Sequence, residues 1–172
     1  MMIDLAGADG ALARDTEVCV IGAGAAGLTV ARRLLSRGRG VVILESGGSD
    51  YEADTADLNA GGNVGEDYYE LDHARLRFFG GTTAIWGGRC AELDPIDLER
   101  RDWVPHSGWP IGHDELERWY REARPLFDLA AEPATAAALR RAGVPIPDFH
   151  PDRLATPVWS FVMRFNRFAK DS

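Results

Sequence analysis

The chain has 172 residues, 45% hydrophobic, 27% charged and 9% aromatic, a composition that supports a folded core and excludes a disordered tail or a fibrous repeat. Its 27 acids against 19 Lys and Arg give a net charge of −8, which argues against nonspecific binding to nucleic acid or to an anionic membrane. One domain is the expectation for this length.

Residues 1–15 show no periodicity and read as a loose leader without the apolar core of a secretion signal. Aliphatic runs such as Val18 to Ile21 fall far short of the ~20 residues a spanning helix needs. Cys19 and Cys90 stand 71 positions apart with no paired cysteine or histidine cluster beside them, so neither a metal site nor a disulfide framework is expected. A soluble cytoplasmic protein with no membrane partner fits these features.

Residues 17–21 form a short β-branched run ended by Gly22, the pattern of a buried parallel strand. The spacing predicts a helix over 25–37 with Ala26, Val30 and Leu34 on its apolar face and Gly38 closing it. A second strand follows at residues 41–44. Strand, helix and strand make a βαβ unit with a right-handed crossover.

After Glu45 comes a Gly-, Asp- and Tyr-rich stretch of about thirty residues, longer than an ordinary connection. Eight acids and no base fall between Gly47 and Asp72, which reads as a solvated loop. Order is expected to return at Leu76. From Gly80 to Gly88 four glycines in nine residues surround Trp86, implying close backbone approaches around one large ring.

Pro95 to Glu99 reads as a helical turn opened by proline, and Pro105 to Pro110 as a bend packed down by Trp103 and Trp109. The second long helix is expected over 114–127, with Leu116, Trp119, Tyr120, Ala123 and Phe127 in its core face. Ion pairs Asp114 with Arg118 and Glu117 with Arg121 support it, and Pro125 kinks or ends it. A further helix over 134–142 stops at Gly143, and residues 158–162 read as a strand.

Gly22-Ala23-Gly24-Ala25-Ala26-Gly27 has the GxGxxG spacing, placed after a strand and opening a helix. Gly22 makes the tight turn, Gly24 lets a pyrophosphate approach the backbone, and Gly27 lets helix and strand pack closely. The first acid after the second strand is Glu45, which can accept both hydroxyls of an adenosine ribose and would repel a 2′-phosphate. This fingerprint does not separate FAD from NAD. The Gly80-Gly81-Thr82-Thr83 segment fits a chain returning to the flavin end of a cofactor, and equally a glycine-rich bulge around a buried tryptophan.

Taken together, GAGAAG, Glu45, the block RLRFFGGTTAIWGGRC and the segment from Pro95 to Tyr120 resemble the N-terminal part of a glucose-methanol-choline (GMC) oxidoreductase, on the pyranose-oxidase-like and sugar 3-dehydrogenase branch. The resemblance implies an α/β, Rossmann-like FAD/NAD(P)-binding domain with attached helical and loop segments, incomplete as a dinucleotide fold. Residues 16–172 would be the FAD-binding part of a larger enzyme that transfers a hydride from a CH–OH carbon of a sugar, glycoside or related alcohol to flavin.

It further implies that Gly22, Gly24, Ala26 and Gly27 hold the diphosphate, and Glu45 with Ser46 the adenosine ribose. Arg77, Gly80, Gly81, Thr82 and Thr83 would line the diphosphate and ribityl chain, with Ile85, Trp86 and Gly87 beside the isoalloxazine. Pyranose oxidases carry a flavin-linked histidine just before that tryptophan. Ile85 has no nucleophile, so noncovalent FAD is expected.

The catalytic base and substrate domain of such enzymes lie C-terminal of the aligned segment, and His73, His106, His113 and His150 match no catalytic position. No catalytic residue is assigned, and this chain alone is expected to be inactive. A sugar or alcohol substrate and the remainder of the enzyme or a second chain are the expected partners. Self-association into a homo-oligomer stays open, and a non-catalytic FAD-binding fragment is the rival reading.

Overall fold

Branched residues crowd positions 18–21 and 41–44, and their stiff side chains favour extended backbone. The computed structural model describes residues 1–5, 7, 10, 12–150 and 152–162, and pairs these runs as parallel strands β1 (Val18–Ile21) and β2 (Val41–Leu44). Val18 stands opposite Val41 and Ile21 opposite Leu44. Helix α1 (Ala25–Leu35) is the crossover, and Gly38 at φ 74° closes it through its N–H on the Leu35 carbonyl at 2.9 Å. The βαβ unit is therefore present.

Three details depart from expectation. β1 begins at Val18, because the Glu17 carboxylate instead accepts the Gly40 N–H at 2.7 Å and pairs with Arg39 at 2.8 Å, fixing where β2 begins. The strands are not buried on both faces. In β1 Val18 and Val20 are half-buried while Cys19 and Ile21 are exposed, and in β2 Val41, Val42 and Ile43 are half-buried while Leu44 is exposed. In α1 the buried residues are Leu28 and Ala31, whereas Ala26 and Val30 are exposed. The close approach of Gly27 to Gly22 and Val20 turns that side of the helix to the sheet.

The acidic stretch is not simply a loop. It holds α2 (Ala53–Ala56), a 3-10 turn at Asp57–Asn59 and α3 (Leu71–Ala74), and a second 3-10 turn follows at Gly81–Ala84. Two compact units divide between Trp86 and Gly87.

In the second unit, β3 (Arg89–Cys90) pairs antiparallel with β4 (Ser160–Phe161), a shorter strand than residues 158–162 suggested. Helix α4 (Pro95–Leu98) opens with Pro95, and the Asp97 carboxylate accepts the Asp94 N–H at 2.8 Å. Helix α5 (His113–Ala123) gives way to a 3-10 turn at Arg124–Phe127, where Pro125 removes a backbone donor. Helix α6 (Ala136–Arg141) is capped by the Thr135 hydroxyl, which accepts the Ala138 N–H at 3.1 Å.

The core of this unit is organised by an ion. Buried Arg124 donates to the Ala130 carbonyl at 2.6 Å, to Glu92 at 3.2 Å and to the Ser160 hydroxyl at 3.0 Å, joining its own loop to two segments remote in sequence. The tryptophans are not buried as expected. Trp103 and Trp109 are 77% and 63% exposed, because their bend is closed by polar bonds instead. The Ser107 hydroxyl accepts the Arg101 N–H and donates to the Arg101 carbonyl, at 2.8 and 2.9 Å. Trp119 is also exposed, with the Arg118 guanidinium 4.5 Å over its ring, and among the described residues that arginine makes no pair with Asp114. The Glu117–Arg121 pair does form, at 2.9 Å.

Candidate cofactor site

The turn between β1 and α1 is shaped by its glycines. Gly22 has φ 98°, a left-handed conformation costly for residues with a Cβ, and its N–H donates to the Leu44 carbonyl at 2.7 Å. A Cβ at Gly27 would overlap the Gly22 carbonyl oxygen, so helix and turn meet at a distance only glycine allows. Gly24 is the N-cap residue of α1 and brings no capping side chain, and the first turn carries no acid. The positive end of the helix is thus left without a competing carboxylate.

Glu45, at the end of β2, reaches this turn directly. Its Oε2 accepts the N–H of Ala23 at 2.6 Å, and its Oε1 accepts the N–H groups of Ser46 at 2.9 Å and Gly47 at 3.4 Å and the Ser46 hydroxyl at 3.2 Å. Ala23 is only 1% exposed, so its N–H would otherwise be buried without a partner. Glu45 therefore shapes the glycine turn, a role the spacing did not reveal.

The segment 77–83 returns onto the same turn. The Phe79 N–H donates to the Gly48 carbonyl and the Gly80 N–H to the Ala23 carbonyl, both at 2.9 Å, and Gly80 bridges Gly24 in parallel. A Cβ at Gly81 would sit 3.4 Å from the Gly24 Cα. A Cβ at Gly47 would overlap the Arg77 carbonyl, so Gly47 is a contact that sequence reasoning missed. Its only signal was the Gly47-Gly48 pair after Ser46.

The Arg77 guanidinium donates from Nε to Asn59 Oδ1 at 2.7 Å and from Nη1 to the Ser46 hydroxyl at 3.2 Å. Thr82 and Thr83 stabilise the 3-10 turn, with Thr82 Oγ1 accepting the Leu76 N–H at 3.2 Å and Thr83 Oγ1 donating to the Gly80 carbonyl at 2.5 Å. Ile85 is exposed and Trp86 half-buried in the first unit, and Gly87 opens the second.

These residues fit a dinucleotide. A Cβ built on Gly24 would meet nothing within 4 Å, so the uncapped helix end has open space beside it where a diphosphate can come against the backbone. Glu45 lies one strand away, beside Ser46 and Arg77. The class these features define is a dinucleotide-binding βαβ protein with a glycine segment folded back on its phosphate turn.

Residues 17–157 match the family described as FAD dependent oxidoreductase, and the chain belongs to that family. Comparisons with curated proteins and with solved structures return no match. The cofactor is FAD, held noncovalently as in this family. Gly22, Gly24, Ala26 and Gly27 would hold its diphosphate and Glu45 its adenosine ribose.

His73, His106 and His150 are exposed, His106 in a left-handed conformation at φ 59°, and His113 lies 6.4 Å from the Tyr120 ring. Among the described residues no helix is long and apolar enough to cross a membrane.

Proposed function

We propose that this FAD-dependent oxidoreductase acts on a CH–OH group of a sugar, glycoside or related alcohol, as the glucose-methanol-choline branch does. The observation carrying this reading is the return of the first part of the RLRFFGGTTAIWGGRC block to the phosphate turn, through Gly80 on Ala23 and Gly24. A block that only packed a buried tryptophan would have no reason to return to that turn.

Bound FAD would supply the hydride acceptor for the oxidation of the carbinol carbon. The chain's own part is to bind and orient. The open helix end of α1 takes the diphosphate, Glu45 accepts from the ribose, and Arg77 supplies positive charge beside them. Ile85 and Trp86 would lie toward the ring system. A positioned base must take the hydroxyl proton, and the sugar, its reacting carbon and any second chain that completes the site belong to this same proposal.

The test is dye reduction by the FAD-loaded protein with sugars, glycosides, simple alcohols and amines in parallel. This chain alone is expected to reduce no dye, and with the remainder of the enzyme or a completing second chain added, reduction by sugars or alcohols is expected. Reduction by amines alone would overturn the CH–OH assignment, and tight FAD binding without reduction by any donor even in that mixture would favour a non-catalytic cofactor-binding fragment.

A further inference from the structure

We infer that Asn59 is a positioning residue for the cofactor, acting through Arg77, and that the acidic stretch between β2 and the glycine block thereby belongs to the FAD site. The inference rests on the reading of Arg77 as a diphosphate contact. Asn59 closes the 3-10 turn Asp57–Asn59, and its amide is used at both ends. Oδ1 accepts the Arg77 Nε–H at 2.7 Å, and Nδ2 donates to the Arg75 carbonyl at 3.2 Å. Flipping the amide would set donor against donor and acceptor against acceptor, so the two contacts fix its orientation.

Arginine has five N–H groups. Nε is committed to Asn59 and Nη1 gives one to Ser46, and among the described residues no acceptor takes the other three. A half-buried guanidinium that is held by two contacts and keeps unpaired N–H groups can meet an anion. The far side of the same network is the turn itself. The Ser46 hydroxyl that receives Arg77 also donates to Glu45, and Glu45 holds the Ala23 N–H. Asn59, Arg77, Ser46, Glu45 and Ala23 therefore form one continuous chain of hydrogen bonds, ending where the diphosphate is expected.

Without Asn59 the arginine keeps its charge and loses the contact that fixes its plane. A long side chain must then be ordered by the ligand, and affinity falls by that cost. The effect should depend on Arg77 and on a charged ligand, which separates positioning from general structural support.

The experiment is a double-mutant cycle of Asn59→Ala and Arg77→Gln on the whole chain, with calorimetric titration of FAD, ADP and adenosine. Asn59→Ala should weaken FAD and ADP about fivefold and adenosine less than twofold, and should add nothing once Arg77 is Gln. Equal losses for Asn59→Ala in both backgrounds, or loss of adenosine in step with ADP, would show a merely structural role and overturn the inference. If Arg77→Gln weakens ADP while Asn59→Ala does not, Arg77 stands and Asn59 falls. If Arg77→Gln leaves ADP binding unchanged, the reading of Arg77 falls and the inference with it.

Discussion

Glu45 shows how one carboxylate serves two tasks. Because it accepts the buried Ala23 N–H and the N–H groups of Ser46 and Gly47, Glu45→Ala should destabilise the FAD-free chain by about 1–3 kcal/mol as well as weaken FAD. Urea unfolding with and without FAD separates the two effects. Unchanged stability in the FAD-free variant would mean that Glu45 does not hold the turn in solution. Glu17 gives the corresponding pH test. The Gly40 N–H and then Arg39 hold its carboxyl below the ordinary glutamate value of 4.5. A depressed folded pKa stabilises the native state above the unfolded pKa and loses that contribution as pH falls through the folded value. The stability gap between the parent and Glu17→Gln should therefore be open at pH 7, narrow below pH 4.5 and vanish at lower pH, as followed by denaturation across that range. A gap that stays constant down to pH 2 would contradict the contacts of Glu17.

At the scale of elements, the two ends of the phosphate turn should respond oppositely to the same substitution. A Cβ at Gly27 would overlap the Gly22 carbonyl, and backbone cannot yield as a flexible side chain does. Gly27→Ala should cost about 1–3 kcal/mol of stability, the scale of overpacking a tight contact. Gly24 has φ −77°, which alanine adopts freely, and open space where its Cβ would go. Gly24→Ala should change stability by less than about 1 kcal/mol while sharply lowering FAD affinity, because the methyl stands where the diphosphate approaches. Chemical denaturation paired with FAD titration reads both. Equal FAD affinity in Gly24→Ala and the parent would move the diphosphate elsewhere.

At the scale of the whole molecule, family membership and the site together specify a flavoprotein whose cofactor is removable. Acid precipitation of the FAD-loaded protein should leave a colourless pellet and release all the FAD to the supernatant. Flavin colour retained by the washed pellet would contradict noncovalent binding. The net charge of −8 bears on the same scale, since an acidic molecule that must bind a diphosphate needs local sources of positive potential. Here they are the uncapped start of α1 and the guanidinium of Arg77.

The choice of FAD over NAD came from the family resemblance and the family match, whereas the sequence by itself determined the βαβ unit and the phosphate turn. These rest on local rules: β-branched runs make strands, GxGxxG spacing makes the turn, and Pro95, Pro125 and Gly143 mark helix ends wherever they are placed. Only the tertiary structure decided which side of α1 is buried, because Gly27 meets Gly22 and Val20 across a contact that the periodicity of Ala26, Val30 and Leu34 cannot register. It also decided that Trp103, Trp109 and Trp119 are exposed while Arg124 is buried. Hydrophobicity ranks side chains by transfer to an apolar medium, and it cannot foresee a guanidinium satisfied by the nearby Ala130 and by Glu92 and Ser160 from two distant segments. The pairing of Asn59 with Arg77 across 18 residues is of the same kind. An asparagine in an acidic stretch carries no periodic or motif signal, and its partner is chosen by where the folded chain brings a guanidinium within 2.7 Å.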